Sequence, residues 1–131
     1  MIREEFRVLC VDLGTGKGSI KLLDGRNLVA GGSGLAALLY DRFANNELSW
    51  DDAAQPLIFA IGPLTGCFPL MSKTVCAFRS AYHHQYTESH AGGRLAHALR
   101  FADLDALVIT GRAGRLSCLV VGGRHLEVRD V

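Results

Sequence analysis

"FRVLCVDLGTGKGSIKLL", residues Phe6 to Leu23, is the stretch on which the fold turns. Val8, Cys10 and Asp12 alternate with Leu9, Val11 and Leu13, the two-residue period of a strand. A Gly-rich run, Gly14 to Gly18, follows directly. Such a turn leads either into a helix, giving a nucleotide-binding unit, or into a second strand, giving a hairpin. A phosphate loop needs four residues between its first Gly and the Gly-Lys pair, with a helix behind it. Here the spacing is shorter, and "SIKLL" continues as a strand. The stretch is therefore a β-hairpin, and the phosphate-loop reading falls away.

Working outward, "AGGSGLAALLYDRFANN" carries Leu35, Leu38, Leu39 and Phe43 on one helical stripe, with Ser33 as the expected N-cap and Asn45-Asn46 as the stop. "ELSWDDAAQP" is a polar loop, with a turn of helix expected around Trp50 to Ala54, and Pro56 ends it. Leu57 to Ile61 is a continuous apolar run before a Gly-Pro turn, the pattern of a strand buried on both faces. "KTVCAFRS" is another strand. Residues 81–94 are expected as a loop. After Gly92-Gly93, the residues Leu95, Ala98, Leu99 and Ala102 fit one face of a second helix, with His97 roughly opposite. "DALVITGRA" is a strand ended by Gly111. "LSCLVVGGRHLEVRDV" is a second hairpin. Strands and helices do not alternate strictly, so the class is α+β: hairpins and a mixed or antiparallel sheet with two helices. The first and last hairpins look alike, which hints at a duplication whose second copy begins near Leu116.

The 131 residues are enough for one domain spanning 1–131 and too few for two. With 14 basic against 13 acidic residues there is no charge run for nucleic acid or for a disordered acidic partner segment. No apolar run approaches the ~20 residues of a membrane-spanning helix, and "MIREEFRV" has no apolar signal core. The four cysteines, Cys10, Cys67, Cys76 and Cys118, show no metal or redox spacing. They are expected as free thiols in a reducing cytoplasm, with Cys10, Cys76 and Cys118 buried.

Residues Ala81 to Phe101 hold four of the five histidines. His83 and His84 are adjacent and in a strand would face opposite sides. A metal site would need His90 or His97 to swing in with a carboxylate such as Glu88, and no HxH or HExxH pattern is present. Gly92-Gly93 reads two ways. Glycines at a helix start let backbone N–H groups approach an anion, with Ser89 and His90 as donors beside them. Equally, they permit a tight turn against a neighbouring strand.

Seven segments then occur in one order: "RVLCVDLGTGK" before a strand, "GGSGLAALLYDRF", "PLIFAIGPLTG", "SK" before a strand, "TESHAGG" opening a helix, "FADLDALVITGRA" and "HLEVRDV". Together they resemble the N-terminal domain of the tungsten- or molybdenum-containing aldehyde ferredoxin oxidoreductases, over roughly Arg7 to Val131. The resemblance implies an α+β domain built as a duplication, of which this chain holds one half and a little more. It implies a base for a metal–pterin cofactor, with later domains carrying the iron–sulfur cysteines and the catalytic acid and base. The loop matching "TESHAGG" usually reads like "GDSNSGG" in that family, with its Asn near a magnesium ion bridging the pterin phosphates. Here His90 holds that position, while Gly92 and Gly93 match. The basic residue before the preceding strand, usually Arg, is Lys73, a point charge in place of a planar fork. A neutral imidazole is a poor magnesium ligand, whereas a protonated one would meet a phosphate directly. Residues 81–87, Gly-rich in the family, are bulky and polar here.

The resemblance therefore implies cofactor-binding residues Lys73, Ser89, His90, Gly92 and Gly93. They would serve a tungsten- or molybdenum-pterin, with magnesium beside it, shared with a partner chain. The expected role is a stand-alone or truncated domain in an aldehyde-oxidising complex, beside a catalytic oxidoreductase subunit and without catalysis of its own. A second expectation is a non-catalytic oligomerisation or partner-binding module, with two copies pairing as a homodimer. A third is a metal site at His83, His84, His90 and His97.

Overall fold

The computed structural model describes residues 4–25 and 31–131. Ala30, which opens the first expected helix, and Met1 to Arg3, in the amino-terminal stretch, lie outside them. Within the described residues, eight strands and two helices follow in the order β1 (Glu5–Asp12), β2 (Lys17–Asp24), α1 (Gly32–Phe43), β3 (Leu57–Ile61), β4 (Thr74–Arg79), β5 (Tyr86–Ala91), α2 (Leu95–Phe101), β6 (Ala106–Thr110), β7 (Ser117–Val121) and β8 (Leu126–Asp130). The decisive hairpin forms as expected. β1 and β2 pair antiparallel from Glu5↔Asp24 to Asp12↔Lys17. Asp12 closes the turn between them: its side chain accepts from the Gly14 N–H at 2.8 Å and its carbonyl from the Gly16 N–H at 2.8 Å.

The main sheet has six strands in the order β2-β1-β6-β3-β4-β5. Its one parallel pair is β1 with β6, in register Val8↔Ala106; every other neighbour is antiparallel. β7 and β8 form a separate two-stranded sheet. The α+β expectation holds, with a mixed sheet and two helices.

Alternation along the strands sorts the core into two layers. On one face, Val8, Ile58, Ala60, Val75, Ala77, Ala106 and Val108 meet Leu35, Ala36, Leu39 and Tyr40 of α1. On the other, Leu9, Val11, Ile61 and Leu107 meet Ala96 and Leu99 of α2, with Leu119, Val121 and Leu126 of the last hairpin partly buried against them. Gly18 faces the tip of Leu126 in that hairpin. A Cβ there would overlap the Leu126 side chain.

Several local expectations are corrected. The N-cap of α1 is Gly31, at φ 80°, a left-handed conformation that favours glycine. Ser33 lies inside the helix and bonds elsewhere. The Trp50 region forms turns closed by Asp52 N–H to Ser49 and Gln55 N–H to Asp52, without a helix. β3 is fully sealed on the α1 side; on the other, Ile61 is buried, Phe59 half-buried and Leu57 exposed. The expected loop at 81–94 contains strand β5, and α2 begins at Leu95 with only seven residues. Within α2 the buried residues are Ala96 and Leu99, while Leu95 is exposed. His83 and His84 sit in the turn before β5, with His84 at φ 57°. Cys118 and Cys67 are exposed, and Cys10 and Cys76 half-buried; all four thiols are free.

Candidate functional site

The register of β4 and β5 gathers the five expected site residues at one end of the sheet. Thr74 pairs with Ala91, Val75 with His90 and Cys76 with Ser89. Lys73, one step before Thr74, and Gly92-Gly93, one step after Ala91, therefore meet where the hairpin opens. All five are exposed. Ser89 and His90 are consecutive in a strand, so they face opposite sides of it. His90 shares the α1 face with Tyr86 and Glu88. Among the described residues, apart from the chain neighbours, no atom lies within 4 Å of a Cβ built on Gly92 or Gly93, and Gly93 has φ 104°. The helix behind them spans seven residues, with Arg94 at its N-cap and no side-chain cap bond. Under two turns of aligned peptides make a weak dipole, so an anion here would rest on the open glycine backbone and Lys73.

The amino end of α1 arrives at the same end of the sheet. A Cβ on Gly31 would stand 3.0 Å from the Ile61 carbonyl oxygen and 3.2 Å from Pro63 Cδ. Glycine at this position is what allows α1 to start so close to the turn after β3. The first turn of α1 has no acidic residue and no side-chain cap.

Sequence reasoning missed the residues that bind this end together. Ser33 Oγ donates to Glu88 Oε1 at 2.9 Å, and Tyr86 OH donates to Glu88 Oε2 at 2.9 Å. His90 Nε2 lies 3.0 Å from Glu88 Oε1. The His90 contact, then those from Tyr86 and Ser33, hold the Glu88 carboxyl below its usual range against the opposing effect of burial. Burial, with the Glu88 carboxylate beside it, pushes the Tyr86 phenol up to about 12. Tyr86 also packs edge-on against Tyr40, with ring centroids 5.0 Å apart. This strand escaped notice because its inward residues beyond Tyr86 are polar. Spacing of Tyr86, Glu88 and His90 at intervals of two was the available signal.

A second cluster ties α2 to the same end. Asp105 is buried and accepts from Arg100 Nη1 at 3.0 Å and from the Arg7 N–H at 2.9 Å. Arg100 also donates through Nη2 to the Gly62 carbonyl at 2.9 Å and through Nε to the Thr65 carbonyl at 3.3 Å. One guanidinium thus fastens the Gly62–Gly66 turn to the start of β6. The Thr65 and Thr74 hydroxyls are buried nearby without a hydrogen-bond partner among the described residues.

The four-histidine metal site is not assembled. Among the described residues no three or more His, Cys, Asp or Glu side chains converge as a metal-binding group. His90 is paired with Glu88, and His97 lies beside Phe101 with ring centroids 6.5 Å apart. Their spacing along β5 and α2 directs them to separate partners.

The family model for the aldehyde ferredoxin oxidoreductase N-terminal domain matches residues 8–131. The chain belongs to this family. Among curated relatives, the tungsten-containing aldehyde ferredoxin oxidoreductases of Pyrococcus furiosus and Pyrococcus abyssi are each 33% identical over 75 residues, 56% of this chain and 12% of theirs. That of Pyrococcus horikoshii is 31% identical over the same length. The matched stretch is thus a small part of each relative. Among solved structures, the active site complex BamBC of benzoyl coenzyme A reductase, in complex with 1,5-dienoyl-CoA, superposes with a TM-score of 0.80 at 28% identity. The match covers 96% of this chain and 20% of that one. The aldehyde ferredoxin oxidoreductase N-terminal fold is therefore shared, and the chain is an oxidoreductase-associated domain. Among the described residues no helix is long and apolar enough to cross a membrane.

Proposed function

We propose that residues 1–131 act as one cofactor-base domain, contributing part of a tungsten- or molybdenum-pterin binding surface to an aldehyde-oxidising oxidoreductase. The observation that carries this reading is the β4–β5 register. Within a chain of this family, it brings Lys73, Ser89, His90, Gly92 and Gly93 to one open sheet end. The donor set fits an anion: an exposed ammonium, a hydroxyl and two glycines around which there is space for a ligand to reach backbone N–H groups. It does not fit a protein cage for magnesium, which would take its oxygens from the cofactor's phosphates and from water. Chemistry at the metal would be supplied by the bound cofactor. This chain's part is to bind and orient it, with catalytic groups supplied by a partner subunit.

Support for an assembled setting comes from the segment just before Lys73, where Phe68, Leu70 and Met71 are exposed, Leu70 completely. Exposed large apolar side chains this dense mark surfaces that meet another protein. The free thiols favour a cytoplasmic setting. The test is metal and pterin analysis of the chain purified after co-expression with whatever genes neighbour its own. Tungsten or molybdenum with pterin, lost in Lys73→Ala and in Gly92→Val/Gly93→Val, is the expected result. Wild-type complex free of all three would end the reading.

A second reading, a non-catalytic module that pairs with itself or with a partner, is favoured by one observation. An apolar groove of about 310 Å³ opens between α2, the sheet and the last hairpin, lined by Phe59, Leu95, Ala98, Leu107, Ile109 and Leu119. Light scattering on the purified chain tests self-pairing; a monomer at all concentrations removes the homodimer.

A further inference from the structure

The three contacts on Glu88 constrain one another. An ionised carboxylate only accepts hydrogen bonds. The Tyr86 phenol retains its proton and spends it on Oε2; Ser33 spends its hydroxyl proton on Oε1. The His90 contact at 3.0 Å to Oε1 must then be an N–H from Nε2. A neutral imidazole carries one N–H, so Nδ1 is left with its lone pair. It has no partner among the described residues, and the side chain is 44% exposed.

We infer that Glu88 is a positioning residue that locks His90 in the Nε2–H tautomer, so that His90 meets a ligand through Nδ1 as a hydrogen-bond acceptor. The identity of that ligand rests on the function proposed above; the tautomer does not. Proteins orient histidines in this manner, with a carboxylate on one ring nitrogen and the working contact on the other. Here the orientation is anchored from the core. Tyr40, buried in the α1 layer, packs on Tyr86, Tyr86 holds Glu88, and Ser33 in the first turn of α1 holds it from the other side. Positions 86, 88 and 90 share one strand face, so the relay runs along β5 to its open end.

The consequence is a division of labour. In this tautomer His90 offers a lone pair, which suits an N–H or O–H group of a ligand and repels a bare phosphate oxygen. Lys73 and the N–H groups of Gly92-Gly93 are left for the anion. The neutral ring thus has an acceptor role, whereas a protonated ring would keep the Nε2–H bond to Glu88 and turn Nδ1–H to a phosphate, as expected from the sequence.

The experiment is long-range proton–nitrogen correlation NMR of the ¹⁵N-labelled chain at pH about 8, above the ordinary imidazole range. His90 resonances are assigned by their loss in His90→Gln. The expected wild-type pattern is a protonated Nε2 and an unprotonated Nδ1. Glu88→Ala is expected to shift both nitrogens toward the average of two exchanging tautomers, with amide signals of Leu35 and Ile58 unmoved. Ser33→Ala is expected to shift them less. A wild-type His90 that already averages, that carries its proton on Nδ1, or that ignores Glu88→Ala would overturn the inference. Should Glu88→Ala fail to fold, the wild-type spectrum alone decides. A fixed tautomer in a complex without pterin would leave the positioning intact and remove only the cofactor; pterin with an averaging His90 would do the reverse.

Discussion

The two faces of the main sheet are closed by different means. On one, the twelve residues of α1 lay Leu35, Ala36, Leu39 and Tyr40 across four strands, and the layer is sealed. On the other, the seven residues of α2 bury only Ala96 and Leu99, and an apolar groove stays open beside them. What holds α2 down is polar: Arg100, bonded to Asp105, Gly62 and Thr65. A long helix closes its face by area, which is non-directional and tolerant. A short helix lacks the area, and its place depends on a few directed bonds whose loss leaves a buried charge.

The contrast can be broken most severely at the clamp. Asp105→Ala leaves Arg100 facing buried surroundings with no carboxylate, and should cost about 3–5 kcal/mol by urea unfolding. Adding Arg100→Met should recover part of that loss, because the stranded charge goes with it. Leu39→Ala in the sealed layer should cost about 2–5 kcal/mol, whereas Leu119→Ala beside the groove should cost about 1 kcal/mol. Equal losses would mean that the two faces are closed alike. Gly18→Ala sharpens the question of how the last hairpin docks. The new methyl meets Leu126, and a loss of about 1–3 kcal/mol, with faster amide exchange in Leu119–Val121, is expected.

A smaller effect concerns pH. The Glu88 carboxyl is held low in the fold, so its stabilisation is complete above 4.5, its ordinary value. That stabilisation is lost as pH falls below 4.5 through the folded value. The contribution is under about 1 kcal/mol. Wild type should melt above Glu88→Ala at pH 7, and the gap should close in acid. A gap that persists in acid would mean that Glu88 stabilises by packing. Least of all for stability, iodoacetamide should label exposed Cys67 and Cys118 before Cys10 and Cys76, whose thiols burial pushes up.

The strands that bury apolar alternation were legible in the sequence, and so were both terminal hairpins. The sealed helix was legible too, through Leu35 and Leu39. The glycines and Lys73 of the candidate site could be picked out by resemblance. β5 could not, because an edge strand has one neighbour and its inward positions carry Glu88 and His90, whose burial is satisfied by polar partners. Arg100 and Asp105 were equally hidden. Charged residues in a chain of mixed charge look solvated until a partner 38 or 98 residues away is brought to hydrogen-bond distance.

The sequence by itself determined the class and the family. Local periodicity and turn chemistry act within a few residues, and the ordered segments from Arg7 to Val131 are a one-dimensional signal. Tertiary structure alone decided how the site is wired. Whether Ser33 caps a helix or holds Glu88, and which nitrogen of His90 is free, depends on α1 lying across β4 beside β5. That packing joins residues 55 positions apart through a single hydrogen bond of 2.9 Å. Directed bonds of that length are set by where elements come to rest, and no local pattern encodes that position.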